Sequence, residues 1–426
     1  MSLNRTICPV ITPIGELPLR TPLTFDIAPN CFLYWMGETQ SETVHVALQF
    51  DAGTTTCTGP EAVYASRLLL AGTNQKLQQQ IQNEIDQLGG YVSCSASEEN
   101  FTMDVYALRE NIVAILHLVQ AAFDGAIFPE VEVQDLIREE VQNFLTNSEK
   151  VSYLASLTFR QKVYGNDLPY SKKVSEAFYR NIERSDIVSF YRKKLKNGLK
   201  SIEVVGDLDT DIIDEIIDLW GSHANLEKTK VAENFEHQPG FYHVEKLGAL
   251  QSALRIGMPI TNFDHPDSVE FDVLNTIFGG YFGSRLMANI REDKGYTYGI
   301  SSSVLNYRKA SGFQIGTEVK DEVIGATLKE IQLEIDRLRT DLVDPAELEL
   351  VKNFIIGETL ASIDGAEAML GTYCGLIQRG KSLQYVNETL DRVRNLSAER
   401  IKELANKYLI WDNFVIVVSG ATNPML

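Results

Sequence analysis

The stretch FGGYFGSRLMANIREDKGYTYGISSS, residues 278–303, joins a helical pattern to a strand pattern through a glycine. A helix is predicted to run to about Arg291 and to stop at Gly295, because glycine is common just beyond the end of a helix. The alternating residues 296–303 predict a strand, from which Tyr298 would project. A cation near a helix C-terminus is favoured by the helix dipole. The stretch therefore predicts an arginine and a tyrosine, seven residues apart, on two adjoining elements.

The end of this stretch opens the second copy of an internal repeat. Residues 91–123 and 296–335 each alternate as a pair of strands and then change to helical spacing. In both copies the next helix begins at a proline with acidic residues close behind it, at Pro129 and at Pro345. Landmarks that recur at nearly the same offset along the chain indicate a duplicated unit.

The duplication predicts an α+β protein made of two homologous halves. Each half has strands first, long helices next and a last strand after them. The polar and weakly periodic residues 222–240, SHANLEKTKVAENFEHQPG, separate the two copies. We therefore expect an N-terminal domain over residues 1–220, a linker over 221–240 and a C-terminal domain over 241–426.

Composition limits the class of partner. The 426 residues are 44% hydrophobic and 23% charged, and they carry a net charge of −19. That acidity argues against nucleic acid or anionic membranes as partners. No run approaches the length of uncharged apolar residues that a membrane span requires, so no membrane span is expected.

The cysteines and the N-terminus bear on the compartment. The five cysteines are scattered and have no C-x-x-C spacing, which fits reduced thiols better than a disulfide framework or a thiolate metal site. The opening residues, MSLNRTICPVITPIGELPL, lack the apolar run of a secretory signal. A cytoplasmic location is expected, with a periplasmic one if a leader precedes this sequence natively.

The order of Gly283-Ser284-Arg285-Leu286, Arg291 and Tyr298 closely resembles the C-terminal signature of the M16 zinc peptidases, the pitrilysin- and insulinase-like family. The resemblance covers nearly the whole chain. It implies two homologous halves, each a mostly antiparallel sheet backed by helices, that face each other as a clamshell. In that family the arginine grips the substrate backbone. The tyrosine hydroxyl donates to the oxygen that becomes negative in the tetrahedral intermediate. The resemblance thus gives Arg291 and Tyr298 catalytic roles.

The zinc half of the family signature is degenerate in this chain. Family members hold zinc with an inverted His-x-x-Glu-His motif on a helix. Here Ala71-Gly72-Thr73 and Leu88-Gly89-Gly90 set the register, which puts the two histidine positions at Val63 and Arg67 and the general-base position at Ser66. Valine has no lone pair to offer and arginine is a permanent cation, so no metal is expected in this chain. No two of its six histidines are four residues apart.

Two further expectations come from the resemblance. The third family ligand is a glutamate on a later helix, and Glu140 is its match, or Glu139 if the register slips. Arg67 would either pair with Glu140 and fill the vacated site or remain an exposed arginine on a helix face. Gly53 and Thr54 lie in a small-residue loop that, in the family, borders an edge strand able to pair with a peptide substrate.

The leading hypothesis is a non-zinc subunit of a two-chain M16 peptidase. This chain would supply Arg291 and Tyr298 and hold no cofactor. A partner carrying His-x-x-Glu-His would bring zinc, which activates water and polarises the scissile carbonyl of a peptide or unfolded segment. The partner would be a homologue in a heterodimer, although self-association is equally compatible with the composition. Alone, the chain is not expected to be active.

Two alternatives come from other classes. The chain could be an inactive pseudoenzyme that binds peptides or organises a complex. It could also be an enzyme with relocated chemistry, for instance through Glu98, Glu99 and Glu140, although no pairing of a nucleophile with a base supports that hypothesis.

Overall fold

A computed structural model describes residues 14–37, 39–165, 169–224, 236–308 and 310–425. The first half of the described chain forms one sheet. Its strands are β1 (Leu23–Ala28), β2 (Cys31–Met36), β3 (Thr43–Phe50), β4 (Tyr91–Ala96), β5 (Phe101–Leu108) and β6 (Leu199–Val205). They lie in the order β1-β2-β6-β3-β5-β4, and β2 and β6 form the parallel pair among otherwise antiparallel neighbours.

The second half forms a sheet of the same kind. Its strands are β7 (Gly240–Glu245), β8 (Gln251–Ile260), β9 (Ile300–Asn306), β10 (Ser311–Lys320) and β11 (Val415–Gly420). They lie in the order β7-β11-β8-β10-β9, with β7 parallel to β11 and the other neighbours antiparallel. The last strand of each half therefore enters the interior of its own sheet, beside strands from the start of that half.

Helices follow the strands in both halves. In the first half they are α1 (Glu61–Leu68), α2 (Gln78–Gln87), α3 (Ile112–Asp124), α4 (Glu130–Ser148), α5 (Val151–Tyr164), α6 (Glu176–Arg180), α7 (Arg184–Phe190) and α8 (Thr210–Trp220). In the second half they are α9 (Ser268–Asn275), α10 (Ile324–Thr340), α11 (Pro345–Ala361), α12 (Gly365–Gln378), α13 (Tyr385–Arg394) and α14 (Ala398–Tyr408). Segments of π-helix continue α7 over Tyr191–Leu195 and α9 over Thr276–Gly280, and a third spans Met287–Asp293.

The alternation seen in the sequence explains how each sheet buries one face. In β5, Phe101, Met103, Val105 and Ala107 are buried, whereas the residues between them are partly exposed. These side chains join the core beneath α1, α3, α4 and α8. Strand pair, short turn, helix and proline-initiated helix recur as β9, β10, α10 and α11. The predicted α+β class, with two mostly antiparallel sheets backed by helices, is confirmed.

Each half also lends one helix to the sheet of the other half. Helix α5 packs its apolar face on β8 and β11 of the second sheet, and α12 packs on β2 and β6 of the first. At Gly257 a Cβ atom would lie 2.7 Å from the ring of Phe159 and 2.0 Å from the carbonyl oxygen of Phe313. Glycine is therefore needed where α5 meets the sheet. The halves are thus interlocked through their sheets, an arrangement that local sequence patterns do not reveal.

One strand begins later than predicted. The sequence predicts a strand from Tyr296, but β9 begins at Ile300, which is the first residue to pair with β10. The hydroxyl of Thr297 donates to the carbonyl oxygens of Gly299 (2.9 Å) and Glu318 (2.8 Å). These local bonds replace strand pairing before residue 300. Tyr298 therefore lies in the segment that leads into β9 and not in the strand itself.

The predicted linker and N-terminus fall largely outside the described residues. The chain is described up to residue 224 and again from residue 236, so the central part of the expected linker 221–240 cannot be compared with the prediction. Residues 1–13, which carry the localisation argument, also lie outside the described part. Within the described ranges no helix is both long enough and apolar enough to cross a membrane.

Candidate functional site

Helix α1 carries Val63 and Arg67, the predicted positions of the two motif histidines, on the face that meets α4. Val63 and Arg67 are four residues apart and therefore share a helix face. The Arg67 guanidinium donates to Glu140 Oε1 at 2.7 Å and to the two carboxylate oxygens of Glu139 at 2.8 and 3.0 Å. The pairing of Arg67 with Glu140 is thus present, and Glu139 joins it. Ser66 donates its hydroxyl to the Val63 carbonyl at 2.8 Å, within its own helix.

Val63 and Glu140 border a cleft of about 220 Å³ between α1, α4 and the segment around Lys172. Val63, Glu140 and Thr54 line it together, so the structure brings three of the sequence-predicted positions to one place. The Lys172 ammonium donates to the carbonyl oxygens of Thr54 and of Gly59. No pattern in the sequence singles out this lysine, because its partners are backbone carbonyls of a distant loop.

The cleft does not fit a zinc ion. A cation is already bound to Glu140, the side chain that would have to be the third ligand, and Val63 offers no donor atom. Across the described ranges, no group of three or more His, Cys, Asp or Glu side chains is placed to hold a metal ion.

The acidic residues beside the cleft serve as links between segments. Glu98 accepts from Arg160 at 3.1 Å. Glu99 accepts from the Tyr170 hydroxyl at 2.9 Å and from the backbone N–H of Arg308 at 2.5 Å. Arg308, at the tip of the β9–β10 hairpin, also donates to Asp51 at 2.7 Å. Glu99 and Asp51 thus join the two halves through Arg308, whereas Glu98 pairs within the first half. These bonds are a structural use of Glu98 and Glu99, two of the residues considered for relocated chemistry.

Strand β4 is the edge of the first sheet, and the small-residue loop lies directly beside it. The backbone N–H groups of Thr54 and Thr55 donate to the carbonyl oxygens of Ser97 and Glu98, just beyond the strand, both at 2.9 Å. A Cβ atom at Gly53 would lie 2.3 Å from the backbone of Glu99, so only glycine fits this approach. The loop therefore borders an edge strand, as expected, and peptide binding there remains a prediction.

The segment that carries Arg285 and Arg291 in the second half is held by hydrogen bonds to α10 and α11. Asn289 donates to Glu330 at 3.1 Å and to Glu334 at 2.7 Å. Arg285 makes a two-pronged pair with Glu347, at 2.8 and 2.7 Å. The sequence signature includes Arg285 but did not reveal its partner, which lies on α11. These bonds hold the segment that carries the predicted arginine.

Arg291 and Tyr298 themselves face outward. The Arg291 side chain is 34% exposed, lies 4.6 Å from the ring centroid of Phe282 and is 4.0 Å from the Glu292 carboxylate. Tyr298 is 96% exposed. Neither residue lines the cleft at Val63. The structure therefore separates the sequence-predicted residues into two places, with the degenerate zinc position in one half and the arginine–tyrosine motif in the other.

Known families match this two-halved α+β chain along most of its length. The family described as Insulinase (Peptidase family M16) matches residues 36–171, and the family described as Peptidase M16 inactive domain matches residues 181–355. The chain therefore belongs to the M16 peptidase family.

Similar proteins carry both active and inactive descriptions. An uncharacterized zinc protease, YmxG of Bacillus subtilis, is 22% identical over 84% of this chain and 88% of its own length. A probable mitochondrial-processing peptidase subunit beta of Arabidopsis thaliana is 19% identical over 89% and 75%. A Helicobacter pylori protein named as a non-peptidase homolog is 23% identical over 73% of each chain. The crystal structure of a peptidase M16 inactive domain from Pseudomonas fluorescens superposes with a TM-score of 0.84 at 22% identity, over 94% of this chain and 98% of that one.

Proposed function

We propose that this chain is the zinc-free subunit of a two-chain M16 peptidase, formed from a domain over residues 1–220 and a domain over 241–426 joined by a linker. It supplies Arg291 and Tyr298 to an active site that a His-x-x-Glu-His homologue completes. The zinc belongs to the partner, and this chain holds no cofactor. The substrates are peptides or unfolded segments, which pair with the edge strand β4 beside Gly53 and Thr54.

The observation that carries the proposal is the exposure of Tyr298. A tyrosine that is 96% exposed has its hydroxyl in solvent and is held in place by the backbone around Thr297. Such a phenol can donate to a group that approaches from outside the chain. Arg291 faces the same solvent from a segment that its neighbours fix firmly. Two exposed donors on segments with a fixed backbone are available to an oxyanion in a neighbouring site.

A second candidate function is that of a peptide-binding or complex-organising pseudoenzyme. The ion pairs of Arg67 with Glu139 and Glu140 favour it, because they occupy the position where a zinc site would lie. The two candidates share a fold and differ in the use of Arg291. In a subunit, Arg291 contributes to turnover in the complex, whereas in a scaffold it does not.

The test is peptide hydrolysis by the chain alone and by the complex recovered from its native cells. An unstructured fluorogenic peptide would be used with and without a chelator. Under the proposal, only the complex is active, and the chelator abolishes that activity. The Arg291→Ala variant should lower kcat/KM of the complex by about 100-fold while the two chains remain associated.

The matched control is Arg138→Ala, which removes an exposed arginine from α4 and should leave turnover unchanged. Full activity in the complex of the Arg291→Ala variant would reject the catalytic role and favour the scaffold. Absence of chelator-sensitive hydrolysis in the recovered complex would lead to the same conclusion.

A further inference from the structure

The face of the second sheet on which α5 packs also contains a polar recess of about 480 Å³. Its floor is Gly316 of β10, which lies directly opposite Arg255 of β8 on one side and Ser301 of β9 on the other. A Cβ atom at Gly316 would lie 3.3 Å from Nη1 of Arg255, so the guanidinium lies over the glycine and borders the recess. The next row contributes Gln314, whose amide donates to Ser303 at 3.2 Å. The recess is therefore lined by one cation, by neutral polar groups and, at one end, by the Glu318 carboxylate.

Arg255 has hydrogen-bonding capacity left over. Its Nε donates to Ser156 Oγ of α5 at 3.1 Å, and its Nη1 donates to the Leu254 carbonyl at 2.9 Å. These bonds use two of the five N–H donors of a guanidinium. None of the ion pairs found within the described ranges includes Arg255. Burial lowers the pKa of Arg255, and the charge of Glu318 opposes that effect. The guanidinium remains a cation, partly removed from water, without a carboxylate in contact.

We propose that this recess binds a carboxylate of the peptide through Arg255, with Ser301 and Gln314 completing the contact. The carboxylate is an acidic side chain or the C-terminus of the peptide. The inference rests on the proposed function in one respect, namely that Tyr298 at the edge of the recess contacts the same peptide. A planar guanidinium matches the two oxygens of a carboxylate, and a charged hydrogen bond is stronger when it is partly desolvated.

The charge distribution favours one orientation of the bound peptide. Glu318 lies on the same face of β10, two residues beyond Gly316, and is exposed. The recess is therefore positive at its Arg255 end and negative toward Glu318. A carboxylate enters at the positive end, and an amide or basic group of the peptide is favoured beside Glu318. A peptide with two adjacent acidic residues should bind less well than a peptide with one.

The test is direct binding of fluorescein-labelled peptides to the isolated chain, followed by anisotropy. Four unstructured peptides differ only in Glu or Gln at one interior position and in a free or amidated C-terminus. At least one carboxylate-bearing peptide should bind about tenfold tighter than the amidated Gln peptide, as expected for a charged hydrogen bond. The two peptides with a single carboxylate identify whether a side chain or a terminus is bound. Arg255→Met should remove the preference and leave the affinity for the amidated Gln peptide unchanged.

Two further variants test whether Arg255→Met acts only through a change in the structure of the chain. Ser301→Phe narrows the recess from its exposed rim and leaves Arg255 itself in the chain, and it should weaken the carboxylate peptides selectively. Arg138→Met makes the same chemical change on α4 and should alter no affinity. Equal binding of all four peptides by the unmodified chain, or equal weakening of all four by Arg255→Met and by Ser301→Phe, would overturn the proposal.

The outcome is separable from that of the proposed function. Peptide binding to the isolated chain needs neither a partner nor zinc. A carboxylate preference that depends on Arg255, together with unimpaired hydrolysis by the complex of the Arg291→Ala variant, would keep the recess and reject the subunit role. Loss of turnover in Arg291→Ala without any carboxylate preference would do the reverse.

Discussion

Each half contains one arginine at a predicted site position, and the surroundings of these two arginines are opposite. Arg67, at the position where the family register predicts a histidine, is fixed by two carboxylates of α4. Arg291 has the ring of Phe282 beside it, with its nearest carboxylate contact at 4.0 Å. The first arginine satisfies its charge within the chain, and the second remains available to a group from outside. The same residue type therefore closes one site and leaves the other open.

A zinc site can be lost by removal of its ligands alone, or by removal of its ligands together with a new ion pair at the site. Removal alone would leave an unpaired glutamate at the cleft. Here Glu140 is only 16% exposed and accepts a hydrogen bond from Arg67. An unpaired carboxylate in such a position would be costly, so the ion pair stabilises the metal-free state.

Restoring the zinc motif should have the largest effect. The variant Val63→His, Ser66→Glu, Arg67→His frees Glu140 and places two imidazoles four residues apart on the face of α1 that meets it. We expect about one zinc per chain after dialysis, against essentially none in the parent. Elemental analysis gives the measurement. The matched control replaces the same three positions with alanine and should bind no zinc.

If the restored variant remained metal-free while folded, Glu140 would not occupy the third ligand position. The α1–α4 cleft would then not correspond to the family zinc site. The contrast between a site closed by Arg67 and a site left open at Arg291 would no longer hold.

The next largest effect is expected at Tyr298. Tyr298→Phe removes a single hydroxyl that is exposed in the free chain, so the stability of the chain should not change. In the zinc-containing complex we expect kcat to fall by about 100-fold with little change in KM, because the hydroxyl acts on charge that develops only in the transition state. Steady-state kinetics of the recovered complex would measure it.

Tyr385→Phe makes the same change at the start of α13 and should leave kcat unaltered. A rise in KM at constant kcat for Tyr298→Phe would instead show that the tyrosine binds the peptide without stabilising the transition state. The open site would then be a binding surface only.

Much of the fold follows from local signals in the sequence. Alternation predicts β4 and β5, and helical spacing after Arg109 predicts α3, because both periods depend only on which face is buried. The exchange of α5 and α12 between the halves could not be predicted in this way. It depends on contacts such as that of Phe159 with Gly257, which are distant in sequence.

The candidate site was predictable to a similar degree. The register identified Val63, Arg67 and Glu140; in the structure Val63 and Glu140 line one cleft, and Arg67 donates to Glu140. Tyr298 was misplaced in a strand because the sequence does not show that Thr297 would bond to nearby carbonyls. Lys172 and Arg255 were missed because their partners are backbone atoms or residues far along the chain.

The two exchanged helices offer the last and smallest expected effect. Helix α5 covers the cation Arg255, whereas α12 covers a carboxyl, Glu203 of β6, which meets the thiol of Cys374. Burial raises the pKa of Glu203 to about 7, above the value of 4.5 for a free glutamate. A raised carboxyl pKa means that the folded state binds the proton more tightly than the unfolded state. The stabilisation is therefore complete below about pH 4.5 and is lost as the pH rises through about 7.

We expect the unfolding free energy of the parent to fall by about 2 kcal/mol between pH 5.5 and 8 relative to that of Glu203→Gln, which cannot ionise. Urea denaturation at the two pH values gives the comparison. The control Glu149→Gln removes an exposed carboxylate just before the start of α5 and should retain the pH dependence of the parent. Identical pH dependence in Glu203→Gln and the parent would show that α12 covers a carboxyl that stays hydrated. The contrast between a cation under one exchanged helix and a neutral acid under the other would then disappear.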